Sequence, residues 1–256
     1  TNGADPPAPR FLEVLLPQSP EPRLTNLDRC GDWDYNGERF EVPVLVSEEM
    51  TMPQRMSEET IEVYRKTVEQ EPGNIEARYK LALGYYHARR VKEAIAEMQR
   101  VIILDPKNVD AHFQLSLWYY GRCMFHAAIE ASQKVIALEP ANPGAHYRMA
   151  RSYFHLGKLD LAIQSFRKVL EADPTHMIVH YHLGIIYERK RMWHEAIREF
   201  LQVVSENPND ASSHFHLGLA YKRLGVRDLA VGEFMMALDL DPEDNASLEQ
   251  LQSLQG

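Results

Sequence analysis

Residues 75–108 read IEARYKLALGYYHARRVKEAIAEMQRVIILDPKN, and the same design returns four more times along the chain. Pro106 of this stretch has counterparts at Pro72, Pro140, Pro174, Pro208 and Pro242, each 34 residues from the last. Four of the six close near-copies of one phrase, Leu-Asp-Pro, Leu-Glu-Pro or Ala-Asp-Pro. A fixed period of this length marks stacked supersecondary units, none of which can bury its apolar face alone. The question moves from a reaction to a displayed surface.

Aligned on the prolines, the units are 75–108, 109–142, 143–176, 177–210 and 211–244. Position 7 reads Leu81, Leu115, Met149, Leu183, Leu217, and position 8 stays small: Ala82, Ser116, Ala150, Gly184, Gly218. Position 11 is always tyrosine (Tyr85, Tyr119, Tyr153, Tyr187, Tyr221) and position 20 always alanine (Ala94, Ala128, Ala162, Ala196, Ala230). Position 24 is bulky in Met98, Phe166, Phe200 and Phe234, and Ser132 breaks it. At about 100° per residue, positions 4, 7, 8 and 11 form one stripe of a helix. Positions 20, 24 and 27 form one stripe of a second helix. Small residues at 8 and 20 predict close helix approach, and the proline ends the unit because it cannot continue the second helix.

These positions resemble the signature of the tetratricopeptide repeat (TPR) family over about 170 residues. The resemblance implies an all-α, right-handed α-solenoid of five helical hairpins. It also implies that the first helix of each pair lines a concave groove that holds protein segments. The sequence departs from the family at position 4, where tryptophan is common: here stand Arg78, His112, His146, His180 and His214.

Beyond the five units, Ser57-Glu58-Glu59 predicts an N-cap opening a helix to about Gln70, a half-repeat over 57–74. Asn245–Leu254 predicts a capping helix within 245–256, with Leu248, Leu251 and Leu254 on one face. Residues 1–56 differ. Eight prolines forbid a long helix, Phe11–Leu16 and Phe40–Val46 read as extended, and Asn36-Gly37 between aromatic flanks predicts a short hairpin. This arm carries ten acidic against five basic residues and needs a docking surface for its apolar side chains.

In the TPR family, positions 5, 9, 12 and 13 of the first helix touch bound peptides. Here the candidate contacts are Tyr79, Leu83, Tyr86, Phe113, Leu117, Tyr120, Tyr147, Arg151, Phe154, Tyr181, Ile185, Arg189, Phe215, Leu219, Lys222 and Arg223. Position 9 is the informative one: the family favours asparagine there, and four of five units carry leucine or isoleucine. A helix apolar on two opposed faces expects cover on both. The family's carboxylate clamp for chaperone tails needs lysine and asparagine at positions 5 and 9, so this chain does not match it. Arg151, Arg189, Lys222 and Arg223 are expected either to form a solvated rim or to orient acidic groups on a ligand.

The net charge of −9 argues against nucleic acid as a partner. No apolar run reaches a membrane span. Two cysteines, Cys30 and Cys123, make no disulfide framework and mildly favour the cytoplasm. The chain opens Thr1-Asn2-Gly3 rather than on Met, so a processed or shortened form is expected, with any targeting segment upstream. His180 and His182, like His214 and His216, point about 200° apart on a helix and cannot share one ion. No metal, cofactor or catalytic motif is expected. The function read from the sequence is a noncatalytic adaptor that binds an apolar-acidic protein segment. The alternative is a permanent structural subunit of a larger assembly, membrane-associated or not, with its groove self-filled. The arm is expected to fold back in cis, insert into a neighbouring copy, or attach to another subunit.

Overall fold

The computed structural model describes residues 56–255 and, as backbone alone, two short strands, β1 (Asp32–Trp33) and β2 (Arg39–Phe40). The strands pair antiparallel, Asp32 opposite Phe40 and Trp33 opposite Arg39, where the hairpin was expected. Phe11–Leu16 and the rest of the arm lie outside the described residues.

The described residues form an all-α solenoid. A leading helix α1 (Glu58–Gln70) precedes five pairs, α2 (Ile75–His87) with α3 (Val91–Leu104), α4 (Val109–Gly121) with α5 (Phe125–Leu138) and α6 (Pro143–His155) with α7 (Leu159–Ala172). The last two pairs are α8 (Met177–Arg189) with α9 (Trp193–Glu206) and α10 (Ala211–Arg223) with α11 (Arg227–Leu240), and α12 (Asn245–Gln255) closes the array.

The repeated sequence explains each boundary. Asn74, Asn108, Asn142 and Asp210 cap the first helices of their units, accepting from Ala77, Ala111, Ala145 and Ser213 N–H at 2.9, 2.9, 2.9 and 3.1 Å. Helix α8 alone among the five starts on a residue, His176, with no side-chain cap. Between paired helices the chain turns through a left-handed residue at Arg89, Cys123, Gly157, Arg191 and Gly225, with φ from 56° to 77°. The next N–H then bonds back to the carbonyl of the position 11 tyrosine, from Arg90 to Tyr85 at 2.8 Å through to Val226 to Tyr221 at 3.0 Å. This is a Schellman closure of the helix end.

Packing follows the stripes. All five position 20 alanines are fully buried, as are Met98, Phe166, Phe200 and Phe234. Each buried phenylalanine contributes about 1.5–3 kcal/mol of apolar burial. Position 4 holds the inter-unit turn. The Nε2 atoms of His112, His146, His180 and His214 donate to the carbonyls of Pro106, Pro140, Pro174 and Pro208 at 3.1, 2.8, 2.9 and 2.9 Å. Arg78 does the same for Pro72 at 2.8 Å and bonds Glu97 at 2.6 Å. A polar clamp therefore fills the slot where the TPR family often has tryptophan.

Two expectations change. Leu251 and Leu254 pack onto the last pair, but Leu248 is 44% exposed. It occupies position 4 of a sixth unit, of which α12 is the first helix. Cys123 is half of a disulfide, which the bare cysteine count did not suggest. No helix of the described residues is long and apolar enough to cross a membrane.

Candidate peptide groove

Two neighbouring pairs of first helices touch directly, α4 with α6 and α8 with α10. The candidate residues on these helices fall into two kinds of local setting. The position 5 rings serve the scaffold first. Tyr147, Tyr181 and Phe215 lie 5.8, 5.8 and 5.9 Å from Phe166, Phe200 and Phe234 of their own units. Phe113 packs over Gly144, where a Cβ would come within 2.9 Å of its ring. Tyr79 is half-buried, and burial together with the Asp110 charge pushes its phenol pKa up. Tyr181 is only 7% exposed.

Leu83, Leu117, Ile185 and Leu219 are half-buried against the core beneath them. Arg151 takes their place in the third unit, with its guanidinium 4.8 Å from the Tyr120 ring and 5.8 Å from Tyr147. Arg189 lies 4.3 Å over Phe154. Such stacking lets a guanidinium sit over aromatic rings.

The second aromatic row runs along position 12. Tyr86 is 37% exposed and stacks on buried Trp118 at 4.7 Å. Tyr120, one unit on, is 5% exposed, and its hydroxyl lies 2.8 Å from His155 Nε2. Lys222 departs from its expected role: it donates to Gln250 at 2.7 Å and to Ser253 at 2.5 Å, fixing α12 rather than facing a ligand. Arg223 is exposed.

Sequence reasoning missed position 6, which falls between the two stripes. There Arg148 lies 4.8 Å from the Tyr120 ring on α6 beside Arg151. His182 and His216 stack on Phe166 and Phe200 of the preceding units at 5.4 and 5.1 Å, and His216 also bonds Glu188 at 2.8 Å. The periodic recurrence of histidine two residues after position 4 was the available signal. Among the described residues, no group of three or more His, Cys, Asp or Glu could hold a metal ion.

Tetratricopeptide repeat models match residues 58–109, 143–176 and 181–245, more than half of the chain. The chain belongs to the tetratricopeptide repeat family. No curated protein sequence matches it. Among solved structures, it is similar to YrrB, a TPR protein with an unusual peptide-binding site, at TM-score 0.67 and 18% identity. That alignment covers 75% of this chain and 99% of YrrB. MamA aligns at TM-score 0.61 and 23% identity, over 72% of this chain and 93% of MamA. MamA from Desulfovibrio magneticus RS-1 aligns at 0.59 and 18%, over 73% and 97%. At these identities the likeness concerns the fold. The TPR fold is in general a scaffold for protein–protein interaction.

Proposed function

We propose that this TPR protein is a noncatalytic adaptor whose first-helix surface holds an extended or helical protein segment of apolar and acidic character. The observation that carries the reading is the seating of Arg151 and Arg189 over Tyr120, Tyr147 and Phe154, beside an apolar row at position 9. An aromatic floor with cations laid on it takes a chain that alternates rings or aliphatic groups with carboxylates. YrrB, a TPR protein with an unusual peptide-binding site, supports a peptide role for this fold. Residues 1–56 form an arm and 57–256 the solenoid. The disulfide at Cys123 supports an oxidising compartment over the cytoplasm.

The test uses the chain with Cys30→Ser and labelled twelve-residue peptides, acidic-aromatic against basic-aromatic, followed by fluorescence anisotropy. Acidic peptides bind, and Arg151→Glu with Arg189→Glu weakens them by at least tenfold while helix content is kept. Equal affinity for both peptide classes, unmoved by the charge reversals, rules the reading out. The second reading, a permanent subunit with its groove self-filled, is favoured by the disulfide alone. It predicts that no added peptide binds.

A further inference from the structure

Cys123 stands in the turn between α4 and α5 with φ at 57°, where the third and fifth units place Gly157 and Gly225. A Cβ in this slot works against local backbone preference. The residue is exposed and its sulfur is in a disulfide. The chain contains only one other cysteine, Cys30. Three residues before Cys123 lies Tyr120, with Arg148 and Arg151 each 4.8 Å from its ring and His155 2.8 Å from its hydroxyl. The sequence around Cys30 carries the complementary chemistry. Asp28, Asp32 and Asp34 flank it, and Trp33 and Tyr35 follow.

We propose that this chain's own segment Asp32–Tyr35, tied by a Cys30–Cys123 disulfide, docks in cis across the middle of the groove. Its carboxylates face Arg148 and Arg151, and its rings lie against Tyr120 and His155. Chain length permits the placement. Each residue extends a chain by at most about 3.6 Å, so Asp32 to Tyr35 reach no farther than roughly 7–18 Å from Cys30. Tyr120 is itself within about 5 Å of Cys123 along the α4 axis. Forming the tether joins the two Sγ atoms, and two electrons and two protons pass to a small-molecule disulfide, which leaves as two thiols. Closure holds the segment at an effective concentration on the order of millimolar, a built-in competitor for any other peptide. The inference rests on the groove being a peptide site.

Two measurements on the full chain test it. Digestion without reductant, followed by mass spectrometry, is expected to give a Cys30–Cys123 linked peptide from monomeric protein. A labelled peptide of residues 31–46 is then titrated into the oxidised chain, the reduced chain and the Cys30→Ser variant. The expected result is at least tenfold tighter binding to the reduced chain and to Cys30→Ser than to the oxidised chain. In the Cys30→Ser background, Arg148→Glu with Arg151→Glu abolishes that binding, and Arg151→Gln weakens it should the double reversal unfold. Equal affinity for oxidised chain and Cys30→Ser overturns the proposal, and so does a disulfide that links two copies. If the tether fails while unrelated acidic peptides still bind, only this inference falls. If Cys30→Ser binds no peptide at all, the groove reading falls with it.

Discussion

His180 Nδ1 lies 2.7 Å from a Glu199 carboxylate oxygen while its Nε2 donates to the Pro174 carbonyl at 2.9 Å. A carbonyl and an ionised carboxylate both only accept, so the arrangement is complete when the imidazole carries two protons. Glu199 is the main cause of a raised His180 pKa, with burial opposing it and the Pro174 carbonyl adding to it. A folded pKa above the unfolded one gives stability that is fully present below the unfolded value of about 6.5. That stability is lost as pH rises through the folded value. The melting temperature is therefore expected to fall between pH 6 and 8 by a component that Glu199→Gln removes. Calorimetry of both proteins across that range checks it, and parallel profiles would falsify the assignment.

The second and third units lack an acid at position 23, where Ala131 and Ser165 stand. His146 keeps the Pro140 contact, but its buried Nδ1 has no hydrogen-bond partner, and Ser165 stands where the fourth unit has Glu199. Ser165→Glu is expected to complete the clamp and raise stability at pH 6 more than at pH 8. Urea midpoints at the two pH values decide this. A larger gain at pH 8 contradicts it.

Gly184 sits where an added Cβ would come within 2.6 Å of the Phe200 ring, which is fully buried. The ring has no room to retreat, so Gly184→Ala is expected to cost about 1–3 kcal/mol by overpacking. Chemical denaturation measures the loss. A neutral result means that the two helices separate more readily than the packing indicates.

Helix α8 opens on His176 with no side-chain cap, whereas its counterparts use asparagine or aspartate. His176→Asn is expected to stabilise by about 1 kcal/mol, less a small loss from the ring contact with Tyr147. A gain seen by denaturation, together with slower amide exchange at the start of α8, is the expected signature.

Arg191 holds φ at 56° in a turn where Gly157 and Gly225 do the same work without a Cβ. Arg191→Gly removes about 1–2 kcal/mol of left-handed strain. It returns roughly half of that through a freer unfolded chain. The net gain of about 0.5–1 kcal/mol appears as a higher urea midpoint with an unchanged slope. A lower midpoint would show that the arginine side chain makes a stabilising contact.

The 34-residue period of Pro72 to Pro242 determined the architecture by itself, because a repeated stripe pattern has only neighbours to bury against. The helix start at Ser57 and the alanines at position 20 were legible for the same reason: they answer to local backbone geometry and close packing. Tertiary structure alone decided how side chains are shared between units. Arg148 and Arg151 converge on Tyr120, Lys222 turns to α12, and Leu248 is left open, although each occupies a position with counterparts in every unit. Periodicity fixes which way a residue points on its own helix. What it meets there depends on the adjoining unit.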